Sequence, residues 1–292
     1  MRVSDVFTGL RAVVIAAFVL SFSGLVAAQR PNVAASPSPT AKPAKVEEKP
    51  APAAANTTKG GTPTFTAEQL AESAILVSAL QNGFPVGRAM LNQIRKTTLE
   101  RGRITVINAD GKQETVPYER FVIRGDDLTK ERIRLDQTFP SARYALVQAE
   151  DKVFGIYNNS SFTPREDAAK AFQNQIHRGL DALLRYKENG SKLDLKPRET
   201  IMAVDYYVLD VIDKQNRRTR FYISAKSFRV MMLTYEEDGV KYRRKFYDYN
   251  YAQGTLVPFR SVLWAGDKLV EEVDVGTITF GQKVDEELFK AG

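Results

Sequence analysis

IMAVDYYVLDVIDKQNRRTRFYISAKSFRVMMLTYEEDGVKYRRKFYDYNYAQGTLVPFRSVLWAGDKLVEEVDVGTITF, residues 201–280, reads as one strand after another. β-Branched and aromatic side chains gather in runs at 201–212, 220–224, 230–236, 242–249, 256–264 and 269–280, with turn residues between them. Such side chains favour strands because they pack well on a pleated, half-buried surface. Asp238-Gly239 supplies a two-residue hairpin turn, whose central positions need positive φ. Strands joined by connections this short pair antiparallel. A parallel pair needs a crossover of a dozen or more residues, so a doubly wound parallel sheet is excluded.

Upstream, the runs 103–109 and 113–123 flank Asp110-Gly111 and form another hairpin. Two helices are expected beside the sheet. The first starts at Thr66, which with Gln69 makes a capping box ahead of Leu70, Ala74, Leu76, Val77 and Leu80, and Gly83 occupies its C-cap position. The second spans 163–188: Thr163 caps it, Pro164 takes the first helical position, Glu166 completes the box and Asn189-Gly190 ends it. Phe172, Ile176, Leu180, Leu183 and Leu184 recur at helical spacing as one apolar stripe, which must lie on something apolar. The expected fold class is α+β: a strongly curved antiparallel β-sheet, an incomplete β-barrel, with helices covering the concave side.

Residues 1–28 carry a basic start ending at Arg11, an apolar stretch from Ala12 to Leu20 and the small-residue ending Val26-Ala27-Ala28. This is the pattern of a signal peptide cleaved before Gln29, which places the mature chain in the periplasm or cell envelope. The alternative is an uncleaved signal-anchor that tethers the domain to the inner membrane. Residues 29–63 hold Pro31, Pro37, Pro39, Pro43, Pro50, Pro52 and Pro63 and no aromatic residue. A segment of this composition cannot bury enough apolar surface to offset its ordering entropy, and is expected to be a disordered linker. The folded domain is expected at 64–292.

The chain has no cysteine and a single histidine, His177. Disulfides, thiolate metal sites and lipidation on a cysteine after the signal are thereby excluded, as are zinc, copper and iron sites that need several such ligands. A carboxylate-only calcium site stays open; no cofactor is expected. His177, four residues before Asp181 on the same helix, reads as an exposed, ion-paired side chain. No nucleophile elbow, P-loop or dinucleotide fingerprint occurs. Neighbouring carboxylates on a strand point to opposite faces, so Asp126-Asp127, Glu236-Glu237 and Glu271-Glu272 do not pair for catalysis. Glu236-Glu237-Asp238 reads as a polar hairpin tip, and Glu271-Glu272 as one exposed and one partly covered group. No catalytic residue is identified, and the chain is not read as an enzyme. The net charge is +7, which first suggests an anionic partner. Much of it lies outside the domain, with +1 from 1–28 (Arg2 and Arg11 against Asp5) and +3 from 29–62 (five basic residues against Glu47 and Glu48). The basic run Lys241, Arg243, Arg244 and Lys245 reads as a solvated strand face, and no nucleic-acid partner is expected.

The informative feature is the apolar load of the C-terminal strands. Either it is a filled core, or the concave face keeps a hollow that binds something apolar. The candidate lining residues are Tyr207, Leu209, Val211, Phe221, Ile223, Phe259 and Leu263. Tyr207, Leu209 and Val211 alternate along one strand, while Phe221 with Ile223 and Phe259 with Leu263 share faces in theirs. Tyr206, Val208 and Ile212 make the opposite face nearly as apolar, so the side that lies under the helices stays undecided.

YYVLDVID, RFYISAKSFRVMMLTYEEDG, FYDYNYAQGTLVPFRSVLW with its Pro258-Phe259, and the closing TITFGQKVDEELF together resemble the LolA/LolB-like family of periplasmic lipoprotein carriers. The resemblance implies an incomplete barrel with helices as a lid, whose apolar interior shelters acyl chains in transit. It implies lipoprotein or lipid acyl chains as partners, carried without covalent chemistry. The alternative is a structural or sensory envelope module that binds a protein partner through the same sheet.

Overall fold

The computed structural model describes residues 64–107, 111–140, 142–150 and 152–291; the expected signal peptide at 1–28 and linker at 29–63 lie outside them. In chain order the elements are α1 (Ala67–Leu76), a small hairpin of β1 (Leu80–Gln81) and β2 (Phe84–Pro85), and α2 (Gly87–Ile94). Then come β3 (Thr97–Ile107), β4 (Gln113–Ile123), β5 (Arg132–Thr138), β6 (Arg143–Ala149), β7 (Lys152–Tyr157) and β8 (Ser160–Phe162), followed by α3 (Glu166–His177) and α4 (Leu180–Leu184). The C-terminal part holds β9 (Lys192–Ile201), β10 (Val204–Ile212), β11 (Arg218–Ser224), β12 (Val230–Glu237), β13 (Val240–Ala252), β14 (Thr255–Ala265) and β15 (Lys268–Phe280), then a 3-10 turn at Glu286–Phe289.

β3 to β15 form one 13-stranded antiparallel sheet in the order β8-β7-β6-β5-β4-β3-β15-β14-β13-β12-β11-β10-β9. Two meanders, β3–β8 and β9–β15, are stitched together where β15 pairs with β3, in the register Val273↔Ile104. The ends β8 and β9 do not meet, so the barrel stays open. The α+β class and curved, incomplete barrel are those expected. Residue 201 does not continue into β10. It ends β9, and Met202 and Ala203, at φ of 50° and 61°, turn the chain into β10.

The capping box at α1 forms as read: the Gln69 backbone N–H donates to Thr66 Oγ1 (3.2 Å), and the Thr66 N–H donates to Gln69 Oε1 (2.9 Å). The helix stops sooner than Gly83. Asn82 and Gly83 both take positive φ and form the turn between β1 and β2, so Gly83 is a hairpin residue rather than a helix cap.

The expected helix over 163–188 is a second correction. It starts later, with Arg165 as N-cap and no side-chain cap from Thr163, and it breaks into α3 and α4 at Arg178-Gly179. Gly179 takes an extended conformation, and a Cβ there would lie 2.6 Å from the Gln175 carbonyl oxygen. The break needs a glycine because the chain folds back against its own last turn. Phe172, Ile176, Leu183 and Leu184 still bury their side chains, while Leu180 is half-buried at the bend.

The main core lies between these helices and the concave face. Leu70, Ala71, Ala74 and Ile75 of α1, with Phe172, Ile176, Leu183 and Leu184, pack against Leu209, Phe221, Ile223, Leu233 and Phe246 of the sheet. Val208, Tyr222 and Met232, of opposite strand parity, form a separate small cluster on the other face. That settles which side the helices cover: the face of Tyr207, Leu209 and Val211.

Candidate functional site

Five of the seven sequence-predicted lining residues come together. Tyr207, Leu209, Val211, Phe221 and Ile223 belong to the core that α1 closes, and Leu209, Phe221 and Ile223 are fully buried. Phe65, just ahead of the α1 cap, and Phe228 of the β11–β12 connection sit on Tyr207, with ring centroids 5.2 and 6.0 Å away. Val211 also borders a pocket of about 190 Å³ near His177. Leu263 is buried and Phe259 half-buried, both outside this cluster.

The larger opening lies elsewhere, over the other half of the sheet. A cleft of about 220 Å³ runs between α3 and strands β3, β4, β5, β13, β14 and β15, and none of the seven residues lines it. Its apolar walls include Ile104, Val122, Ile133, Leu135, Phe172 and Val273. Strand period puts them there: Ile104 faces Val273 across β3–β15, and Val122 faces Ile133 across β4–β5. α3 roofs the cleft with Phe172, Gln175 and Ile176.

Polar pairs hold that roof. Gln175 Nε2 donates to Glu271 Oε2 (3.0 Å), Arg178 donates to Glu237 Oε2 (2.6 Å) and to the Arg218 carbonyl (2.9 Å), and Lys170 Nζ donates to Asp238 (2.9 Å). The β12–β13 hairpin tip is therefore more than a solvated turn, since its acids fasten α3. Glu271 is buried at 2% exposure and ion-paired with Arg244 at 2.8 Å, whereas Glu272 turns outward to Arg260. The run 241–245 is likewise split. Arg244 lines the cleft, while Arg243 and Lys245 lie over the Trp264 ring. His177, expected to be exposed, is half-buried.

An ionic cluster carried by residues at the ends of β4, α2 and α4 and just ahead of β5 borders the cleft. Arg124 donates to Asp181 (3.0 Å) and to Asn92 (2.8 Å), and Arg95 lies 3.7 Å from Asp181 while donating to the Leu256 carbonyl (2.9 Å). Arg185 pairs with Glu131 and also donates to the Gly125 carbonyl. Burial, then the nearby Asp181 charge, push the Glu131 carboxyl up to about 7 against the pull of Arg124 and Arg185. Burial would raise Asp181 too, but Arg124 and Arg95 outweigh it and hold that group below the usual carboxylate range. Burial lowers Arg95 to about 10. Sequence reasoning missed these charges. Their one signal was period-2 placement of Arg120 and Arg124 on either side of Val122.

Among the described residues, no group of three or more His, Asp or Glu side chains converges on a metal-sized site. The cleft sets an apolar wall of Ile104, Val122, Ile133, Leu135, Phe172 and Val273 beside the charged side chains of Arg120, Arg124, Glu131, Asp181, Arg244 and Glu271.

No family model and no curated protein matches the chain. Among solved structures it is similar to a LolA superfamily protein from Nitrosomonas europaea, at 13% identity and a TM-score of 0.53, over 78% of this chain and 98% of that one. It is also similar to a DUF1329 family protein from Desulfovibrio piger, at 13% identity and a TM-score of 0.51, over 70% of this chain and 94% of that one. At such identity the likeness is one of backbone architecture, and it matches the open sheet and helical cover described above: the chain has a LolA/LolB-like fold.

Proposed function

We propose that the domain binds an acyl chain in the cleft beneath α3 and serves as a non-enzymatic periplasmic carrier or binder of lipoprotein acyl chains or lipid. The observation that carries this reading is the cleft itself, an opening between α3 and the sheet that sets an apolar wall beside charged groups. Each methylene moved from water into it contributes about 0.8 kcal/mol. Its volume of about 220 Å³ falls below the roughly 300–1,000 Å³ of pockets that enclose drug-sized ligands. It therefore takes one chain segment as it stands, and more only if α3 lifts. The bend at Gly179 and the polar fastening of α3 suit such a movement. Tyr207, Leu209, Val211, Phe221 and Ile223 then serve the binder by holding α1 on the sheet, while Phe259 and Leu263 lie outside that cluster.

Titration with a fluorescent fatty-acid probe tests the reading, together with native mass spectrometry of protein purified from envelope extract. Saturable binding of one probe per chain is expected, with co-purifying lipid. A folded domain that takes up no acyl probe refutes the carrier.

A second reading, an envelope module for a protein partner, is favoured by a different feature. β9 leaves one edge of the sheet open, and at its hairpin tip Met202 is 87% exposed beside an exposed Val204. Free strand edges are templates for pairing. Proline substitutions in β9 that abolish capture of a defined envelope partner, with acyl binding absent, would establish it.

A further inference from the structure

Four arginines line the cleft: Arg95, Arg120, Arg124 and Arg244. Three of them are committed. Arg95 and Arg124 share Asp181, and Arg244 is held by Glu271 and donates to Ser261 Oγ at 3.1 Å. Arg120 differs. It is half-buried on β4, and among the described residues it forms no hydrogen bond, ion pair or ring contact. Its nearest cross-strand acid, Glu100 in the β3 register position opposite, accepts the Tyr118 hydroxyl at 2.6 Å instead. Its other cross-strand neighbour is Leu135, an apolar wall of the cleft.

A guanidinium always carries its charge and presents a planar fork of donors suited to carboxylate or phosphate oxygens. The Glu131 and Asp181 carboxylates act on Arg120 through space, but neither binds it, so its donor fork is left open to an arriving anion. The apolar residues and the free donor fork thus face one opening, which is the arrangement an anionic amphiphile fits.

We propose that Arg120 anchors the anionic head of an acyl ligand, a carboxylate or a phosphate ester, whose chain lies along Ile104, Leu135, Phe172 and Val273. This rests on the acyl-binding reading above and narrows it to lipids with an anionic head, away from the neutral acyl esters of a lipoprotein. The preferred ligand carries its negative charge next to the chain, as a free fatty acid or an acylated phosphate does, and is not a neutral acyl ester.

Dodecanoic acid, its methyl ester, dodecyl phosphate and inorganic phosphate, each competed against a fluorescent acyl probe, test this on wild type, Arg120→Gln and Arg120→Lys. Wild type should prefer the acid and the dodecyl phosphate over the ester by about 10- to 100-fold, the range of one charge-assisted hydrogen-bonded pair. Arg120→Gln should lose that preference while binding the ester as wild type does. Arg120→Lys should keep part of it. Melting temperatures of both variants should stay close to wild type, because Arg120 makes no hydrogen bond or ion pair and Arg120→Gln removes only its through-space attraction to Glu131 and Asp181. Inorganic phosphate at millimolar concentration should not displace the probe. Equal binding of acid and ester by wild type overturns the anchor and leaves the acyl carrier standing. Displacement by inorganic phosphate overturns the amphiphile in favour of a free-anion site. Binding of neither acid nor ester overturns both readings.

Discussion

Leu209 and Val273 lie in different places, and exchanging one atom set in each separates wall from slot. Leu209 is fully buried under α1, so Leu209→Ala removes buried carbons and leaves a void that its packed neighbours fill poorly. Such truncations cost about 3–5 kcal/mol. For a domain of this size that is roughly 6–20 °C in melting temperature, at about 2–4 °C per kcal/mol. Val273 is half-buried and lines the cleft. Val273→Phe places a ring in open space and should move the melting temperature by less than about 3 °C. The ring displaces about two methylenes of bound chain at about 0.8 kcal/mol each, and the affinity for an acyl probe should fall about tenfold or more. Differential scanning calorimetry and probe titration at a temperature where both variants are folded give the two readouts. The reasoning predicts a crossed pattern: Leu209→Ala loses stability and keeps binding, Val273→Phe the reverse. Loss of binding by Leu209→Ala at an unchanged melting temperature would put the ligand under α1, and undiminished binding by Val273→Phe would remove it from the cleft.

Three other outcomes are expected. Met202 and Ala203 occupy left-handed backbone in a two-residue hairpin, where residues other than Gly and Asn are strained; Met202→Asn with Ala203→Gly should raise stability by about 1 kcal/mol in urea unfolding, and a fall would contradict the strain. Glu131 has its carboxyl raised from 4.5 to about 7, so the folded chain holds that proton more firmly than the unfolded one. The associated stability is complete below about pH 4.5 and is lost as pH rises through 7. Glu131→Gln should flatten that slope, and parallel wild-type and variant curves over this window would refute it. Intact mass of the envelope form should begin at Gln29; Met1 retained in a membrane fraction would establish the signal-anchor.

The sheet was legible where turn chemistry and composition agree. Asp238-Gly239 fixes the β12–β13 hairpin, and the runs on either side match the observed strands to within a few residues. β9 is carried by KLDLKPRETI, and a proline with several charges hides a strand that sits at an open edge, where such residues are tolerated. The break at Gly179 was hidden for another reason. Phe172, Ile176, Leu183 and Leu184 keep helical spacing across it, and the pattern cannot tell a continuous helix from two segments that bury the same stripe.

The site was harder still, because period 2 gives alternation but not which face turns inward. Along β4 and the residue after it, Tyr118, Arg120, Val122 and Arg124 alternate with Glu119, Phe121 and Ile123, and either set passes for a core face on composition. The structure turns the arginine-bearing set into the cleft. In β10 the phase was resolved by residues far away in sequence, since Phe65 and Phe228 close over Tyr207 and fill the space that the strand pattern left open. Whether a buried apolar face is filled or empty depends on the summed volume of everything packed against it. α1 and its flanking aromatics fill most of the space over β9–β12 and leave the smaller pocket at Val211, whereas the half built by β3–β5 and β13–β15, under α3, keeps the larger cleft. The slot therefore belongs to the helix that breaks.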